Sequence, residues 1–143
     1  VIQQSLHRYF DIEPASAVPI WRQIEDGMRR LVVSGRVQSG DAVPSVRELA
    51  KALRINPATV SKAYRRLTEA GLLTVRRGEG TFVGRLGSDE ILRQRRLLLD
   101  DGAATFIRVA ASVGASREEA ARAVREGWES AQERDGEGAI DGG

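Results

Sequence analysis

Residues 44–72 read PSVRELAKALRINPATVSKAYRRLTEAGL, from Pro44 to Leu72. Ser45-Val46-Arg47-Glu48 has the Ser-x-x-Glu spacing of a capping box, in which the serine oxygen accepts a backbone N–H and the glutamate reaches back to the serine. A helix is therefore expected to start at Ser45. Val46, Leu49, Ala50 and Leu53 follow at helical offsets as one apolar stripe. Arg54-Ile55-Asn56-Pro57 reads as a tight turn, with Asn56 as a second N-cap and Pro57 at the first helical position. In the helix that follows, Val60, Ala63, Tyr64 and Leu67 form the buried stripe, and Ala58, Thr59, Ser61, Lys62, Arg65 and Arg66 occupy the other faces. Gly71 ends it. Two capped helices across a tight turn, the second with cations off its apolar stripe, are the sequence form of a helix-turn-helix, which makes DNA the first partner to consider.

Downstream, Leu72-Leu73-Thr74-Val75, Arg76-Arg77-Gly78-Glu79-Gly80 and Thr81-Phe82-Val83 read as strand, glycine turn and strand, a small hairpin or wing. Its arginines and glycines suit contact with a phosphate backbone or a minor groove. Upstream, Tyr9-Phe10-Asp11-Ile12 reads as a short strand or arm and Pro14 to Pro19 as a linker. A further helix starts at Pro19; Ile20, Ile24, Gly27, Met28, Leu31 and Val32 mark its buried side, and Ser34-Gly35 close it. Val37 and Val43 flank a Gly40-Asp41 turn and should pack under the first helix, making a three-helix core with the hairpin on one edge. The fold expected is mainly α with a small β-hairpin: a winged helix-turn-helix domain over residues 9–85.

Charge is unevenly distributed. Residues 19–85 hold 13 Lys/Arg against 6 Asp/Glu, whereas residues 86–143 hold 8 against 12. A basic excess confined to the helix-turn-helix segment is the electrostatic footprint of a duplex-binding domain attached to a different kind of partner region. The chain has no cysteine, which rules out disulfides, thiolate metal sites and a cysteine nucleophile. With a lone histidine, His7, most metal and nucleophile schemes lack parts, and Gly78-x-Gly80 lacks the spacing and lysine of a P-loop. No enzyme activity, metal or cofactor is expected. No apolar run approaches the ~20 residues of a membrane span, and Val1-Ile2-Gln3-Gln4 lacks a signal-peptide pattern, so a cytoplasmic location is expected.

Residues 88–133 read as an all-α, two-helix region. Ser88-Asp89-Glu90 reads as a capping serine and two acids suited to the positive end of a helix dipole, and Leu92, Leu99, Phe106 and Val113 recur every seven residues, with Ala103, Val109 and Ala110 near the intervening positions. Ser116-Arg117-Glu118-Glu119 is another capping box, followed by Ala120, Val124, Trp128 and Ala131 on one face. Two helices cannot bury a core alone, so a homodimer paired through Leu92, Leu99, Phe106, Val109, Val113, Val124 and Trp128 is expected. The alternative is that both helices fold back on their own winged helix. A symmetric pair would present two winged helices to a palindromic site. Residues 134–143 are rich in glycine and acid and read as a flexible tail.

Pro19-Ile20-Trp21-Arg22-Gln23-Ile24, Ser34-Gly35, Gly40-Asp41, Pro44 to Ala50, Asn56 to Tyr64 and Gly78 to Val83, in this order and spacing, resemble the GntR family of bacterial transcription regulators over about half the chain. The short helical C-terminal region is similar to the YtrA subfamily, whose members lack the large ligand-binding domains of other branches and are typically dimeric repressors. The resemblance implies a homodimeric repressor on double-stranded DNA, with room for an unidentified small-molecule effector. It implies contacts with phosphate and base edges from Ser45 and Arg47, entry of Asn56, Ala58, Thr59, Ser61 and Lys62 into the major groove, and Arg65 and Arg66 as phosphate neighbours or solvated charges. Arg76, Arg77, Gly78, Gly80 and Thr81 match the family's minor-groove element. A guanidinium such as that of Arg47 can grip guanine bidentately, and its bland alternative is an ion pair with Glu48 or another acid. Asn56 is divided between capping and contact. Pro57 and Ser61 stand where many members place arginine, so base readout is expected to lean on Arg47 and groove shape. Glu79 sits against expectation at the wing tip. The 58 residues after Arg85 are too few for the aminotransferase-like domain of some relatives. A different reading makes the winged helix a protein-interaction module, against which its basic charge speaks.

Overall fold

The computed structural model describes residues 10–138; Tyr9, His7, the first four residues and residues 139–143 of the expected tail lie outside the described residues. Helix α1, Ile20–Val33, follows Pro19, which caps the helix rather than entering it. Strand β1, Ala42–Val43, leads into α2, Val46–Leu53, and α3, Pro57–Glu69. Strands β2, Leu73–Arg76, and β3, Gly80–Val83, form the wing, and α4, Ser88–Ser112, and α5, Arg117–Gly138, complete the described chain. The molecule divides into two compact units at Leu98/Leu99, within α4.

In the first unit the expected apolar stripes converge on one core. Ile24, Met28, Leu31 and Val32 of α1, Leu49 and Ala50 of α2, and Val60, Ala63, Tyr64 and Leu67 of α3 are buried with Val37, Val43, Leu72, Leu73 and Val83. No strand forms over residues 10–12. Phe10 is instead an arm buried on α1, where a Cβ at Gly27 would lie 2.6 Å from the Phe10 ring, so only glycine admits the contact. Gln23 fastens the following loop by accepting from Glu13 N–H at 2.8 Å and donating to the carbonyls of Glu13 and Val18.

The hairpin read in the sequence is part of a three-stranded antiparallel sheet ordered β1-β3-β2. Leu73 faces Val83 and Arg76 faces Gly80, while Ala42 and Val43 pair with Phe82 and Thr81. The third strand is only two residues long and its partner lies about forty residues downstream, so periodicity carried no trace of it. Behind the wing, Gly84 N–H donates to Leu72 C=O at 2.8 Å, and a Cβ at Gly84 would meet the Gly71 carbonyl at 2.2 Å.

Beyond the wing, α4 ends at Ser112 and the chain turns at Gly114, whose φ is +72°, and Ser116 accepts from Glu119 N–H at 3.1 Å, the serine half of the expected box. Ile91 N–H bonds Gly87 C=O, so Ser88 is the first helical residue rather than a cap. Gly102 does not interrupt the helix, and α5 runs to Gly138, beyond the expected start of the tail at residue 134. No helix among the described residues is long and apolar enough to cross a membrane.

Candidate nucleic-acid interface

The two capped helices are built as their residues dictate. Ser45 Oγ accepts from Glu48 N–H at 3.1 Å, and Glu48 Oε2 accepts from Ser45 N–H at 3.3 Å, so both halves of the capping box are made. This engages Glu48 with its own cap, and among the described residues Arg47 has no ion-pair partner; it stands exposed beside the cap. Asn56 caps α3 by accepting from Ala58 N–H at 2.9 Å. That occupies its oxygen and leaves the amide nitrogen as its donor to any second partner. The angle between the helices is pinned from inside: the buried Tyr64 hydroxyl donates to Pro44 C=O at 2.7 Å. Burial, with the nearby Glu48 charge, pushes the Tyr64 pKa up, so the phenol stays protonated and remains a donor.

Ala58, Ser61, Lys62 and Arg65 are exposed on α3, and Thr59 is half-buried. Thr59 and Ser61 carry short hydroxyl donors, and Lys62 a compact charge, the chemistry a phosphate accepts. Lys62 Nζ lies 4.4 Å from the centroid of the Trp21 ring of α1. Arg66, read from sequence as a phosphate neighbour or a solvated charge, is neither alone: its Nε donates to Glu25 Oε2 at 2.9 Å and its guanidinium lies 4.8 Å from the same indole. Burial is the largest influence on Glu25 and would raise its pKa, but the hydrogen bonds and charges of Arg29 and Arg66 together hold the carboxyl below its ordinary range. Next to it, Asp26 is pushed up by burial against the pull of nearby arginines.

In the wing, Arg76 lies with its guanidinium 4.2 Å from the Phe82 ring centroid, while Arg77, Gly78 and Gly80 are exposed and Thr81 is half-buried. Gly78 and Gly80 have φ of +75° and +128°, which tighten the tip, and Glu79 N–H closes it on Arg76 C=O at 3.0 Å. The candidate residues thus gather as three exposed groups on one compact unit: the α2 start, the α3 face and the wing. Trp21, Glu25, Arg29 and Gln94 were not among the candidates. A Glu25–Arg29 pair four residues apart is visible in the sequence, but their junction with α3 joins positions 41 residues apart.

Leu92, Leu99, Phe106, Val109, Val113, Val124 and Trp128 are all exposed, and so are Leu97 and Ile107, which the seven-residue spacing passes over. Among the described residues no group of acids or histidines could hold a metal ion.

Known proteins share this arrangement. The family of bacterial regulatory proteins named gntR matches residues 21–83. The HTH-type transcriptional repressor YtrA of Bacillus subtilis is 46% identical over 72 residues, which are 50% of this chain and 55% of that repressor. A GntR family transcriptional regulator from Listeria monocytogenes superposes with a TM-score of 0.67 at 27% identity, over 80% of this chain and 98% of the other. YtrA from Sulfolobus acidocaldarius, a GntR-family transcription factor, has a TM-score of 0.53 at 32% identity, over 67% of this chain and 98% of its own. The chain spans about half the length of the curated relatives it matches.

Proposed function

The chain belongs to the GntR family of bacterial regulatory proteins, and on that premise we propose that it is a sequence-specific DNA-binding repressor acting as a homodimer on a palindromic operator. One observation carries the reading: an exposed Arg47, engaged by no acid among the described residues, beside an exposed α3 face and an arginine-bearing wing, all on the basic unit. Ser45, Arg47, Asn56, Ala58, Thr59, Ser61, Lys62, Arg65, Arg66, Arg76, Arg77, Gly78, Gly80 and Thr81 are the proposed DNA-facing set. Arg47 is the main base reader, through guanine O6 and N7, and the hydroxyls and other cations address phosphate.

Pairing is proposed through the exposed apolar positions of α4 and α5, because residues as large as Phe106 and Trp128 are costly to leave in water. A two-fold pair requires two half-sites, hence a palindrome. Repression would follow from occupying a promoter in the cytoplasm, and an effector would act by changing the separation of the two winged helices. The name of the Bacillus subtilis relative, a transcriptional repressor, supports the sign of regulation.

Titration of a labelled mixed-sequence duplex at several salt concentrations tests the DNA reading. Affinity should fall linearly on logarithmic axes with a slope set by the phosphates neutralised. Binding that ignores salt, or no binding at low salt, would contradict it.

A further inference from the structure

On α1, Trp21, Glu25 and Arg29 recur every four residues and share one ridge; on α3, Lys62 and Arg66 do the same. These ridges meet. Trp21 lies under both α3 cations, at 4.4 Å from Lys62 Nζ and 4.8 Å from Arg66 Cζ. Both oxygens of Glu25 are engaged, one by Arg66 at 2.9 Å and the other by Arg29 at 2.8 Å. Arg29 is fixed in turn by donating to the Gln94 side-chain oxygen, and Gln94 donates to Glu90 at 2.8 Å. Glu25 and Gln94 are the buried polar side chains of the core region among the described residues.

A buried carboxylate is costly unless fully paired, and an apolar contact would join α1 to α3 at least as well. What the carboxylate and indole add is direction. Long cationic side chains lose rotamer freedom when they grip a phosphate, and the loss shrinks when they are already held. The bond from Arg66 to Glu25 uses Nε, and both Nη groups have no hydrogen-bond partner among the described residues, on a side chain that stays 49% exposed. We propose that Glu25 and Trp21 are positioning residues for DNA binding, holding Arg66 and Lys62 as a preset pair of cations for the phosphate backbone of a duplex.

The inference rests on the DNA-binding reading and has a test of its own, with the full chain. Glu25→Gln removes an acid from a basic unit, so charge alone makes every duplex bind more tightly. Positioning makes the opposite prediction: weaker binding to a selected site and to a mixed-sequence duplex alike, with a salt slope smaller by about one. Arg66→Met keeps an unbranched stem over Trp21, leaves Glu25 with Arg29, and should produce the same loss. In that background Glu25→Gln should add nothing. Thermal unfolding of each variant confirms that folded protein is compared; Trp21→Leu, which removes the ring under both cations without altering any charge, carries the test if Glu25→Gln does not fold, and should weaken binding to both duplexes. Unchanged or tighter binding by folded variants, or full additivity of the two losses, overturns the positioning role. Failure of the unaltered protein to bind any duplex at low salt would instead overturn the DNA reading beneath it.

Discussion

Arg47 and Glu25 make opposite uses of charge. Arg47 stands exposed at the α2 start, where its neighbour Glu48 is bonded back to the Ser45 cap, so the guanidinium is available to a base edge. Arg47→Ala should therefore weaken binding to a selected site by about 1–3 kcal/mol while reducing mixed-sequence binding much less. Equal losses, measured by titration on both duplexes, would assign it to the backbone. Glu25 is buried and paired, and its folded-state pKa lies below the ordinary 4.5. Such a group adds stability that is fully present above its unfolded value and lost as pH falls through the folded one. Asp26, with its pKa raised, works in the opposite sense over the same range. Urea midpoints between about pH 3 and 6 should consequently fall more steeply toward acid in the unaltered protein than in Glu25→Gln. At this scale the sequence is legible where a residue's partner is local. Ser45, Glu48 and Asn56 could be read as caps because each bonds within three residues, whereas Arg66 could not be assigned to Glu25, 41 positions away.

Helix ends show the same division between local and distant information. Three helices close with the same pair of backbone bonds around a residue of positive φ: Arg54 after α2, Gly71 after α3 and Gly114 after α4. Glycine announces the last two in the sequence. Arg54, with φ of 57°, meets the geometric demand without the residue that relieves it. Arg54→Gly should raise stability by about 0.5–1 kcal/mol, the relief of left-handed strain less the added freedom of the unfolded chain. A urea midpoint unchanged or lowered would show that the Arg54 side chain contributes more than its backbone costs. The wing was readable from its glycines and alternating residues, but β1 was not, because a two-residue strand exists only through its pairing with β3.

For the whole molecule, the winged helix was legible because its core stripes, caps and turns agree with one another, a consistency no single signal supplies. The C-terminal helices were legible as helices, yet their large apolar residues are exposed, so the pairing proposed above rests on that exposure and not on a contact. Phe106→Glu should convert a dimer into a monomer in sedimentation, through a carboxylate placed in an apolar contact. A dimer that survives the change would move the interface away from Phe106. Loss of pairing should also weaken binding to a two-fold site far more than to a half-site, since linked modules raise each other's effective concentration.

The central claim is that two copies of this chain read one two-fold DNA sequence. Selection of bound duplexes from a random pool, followed by titration of the winner at several salt concentrations, tests it most directly. A palindrome should be enriched, with half-sites about one helical turn or a multiple apart, and its affinity should fall steeply with salt. No enriched sequence, with every duplex held at nonspecific affinity, would contradict the claim and assign the winged helix to a protein partner.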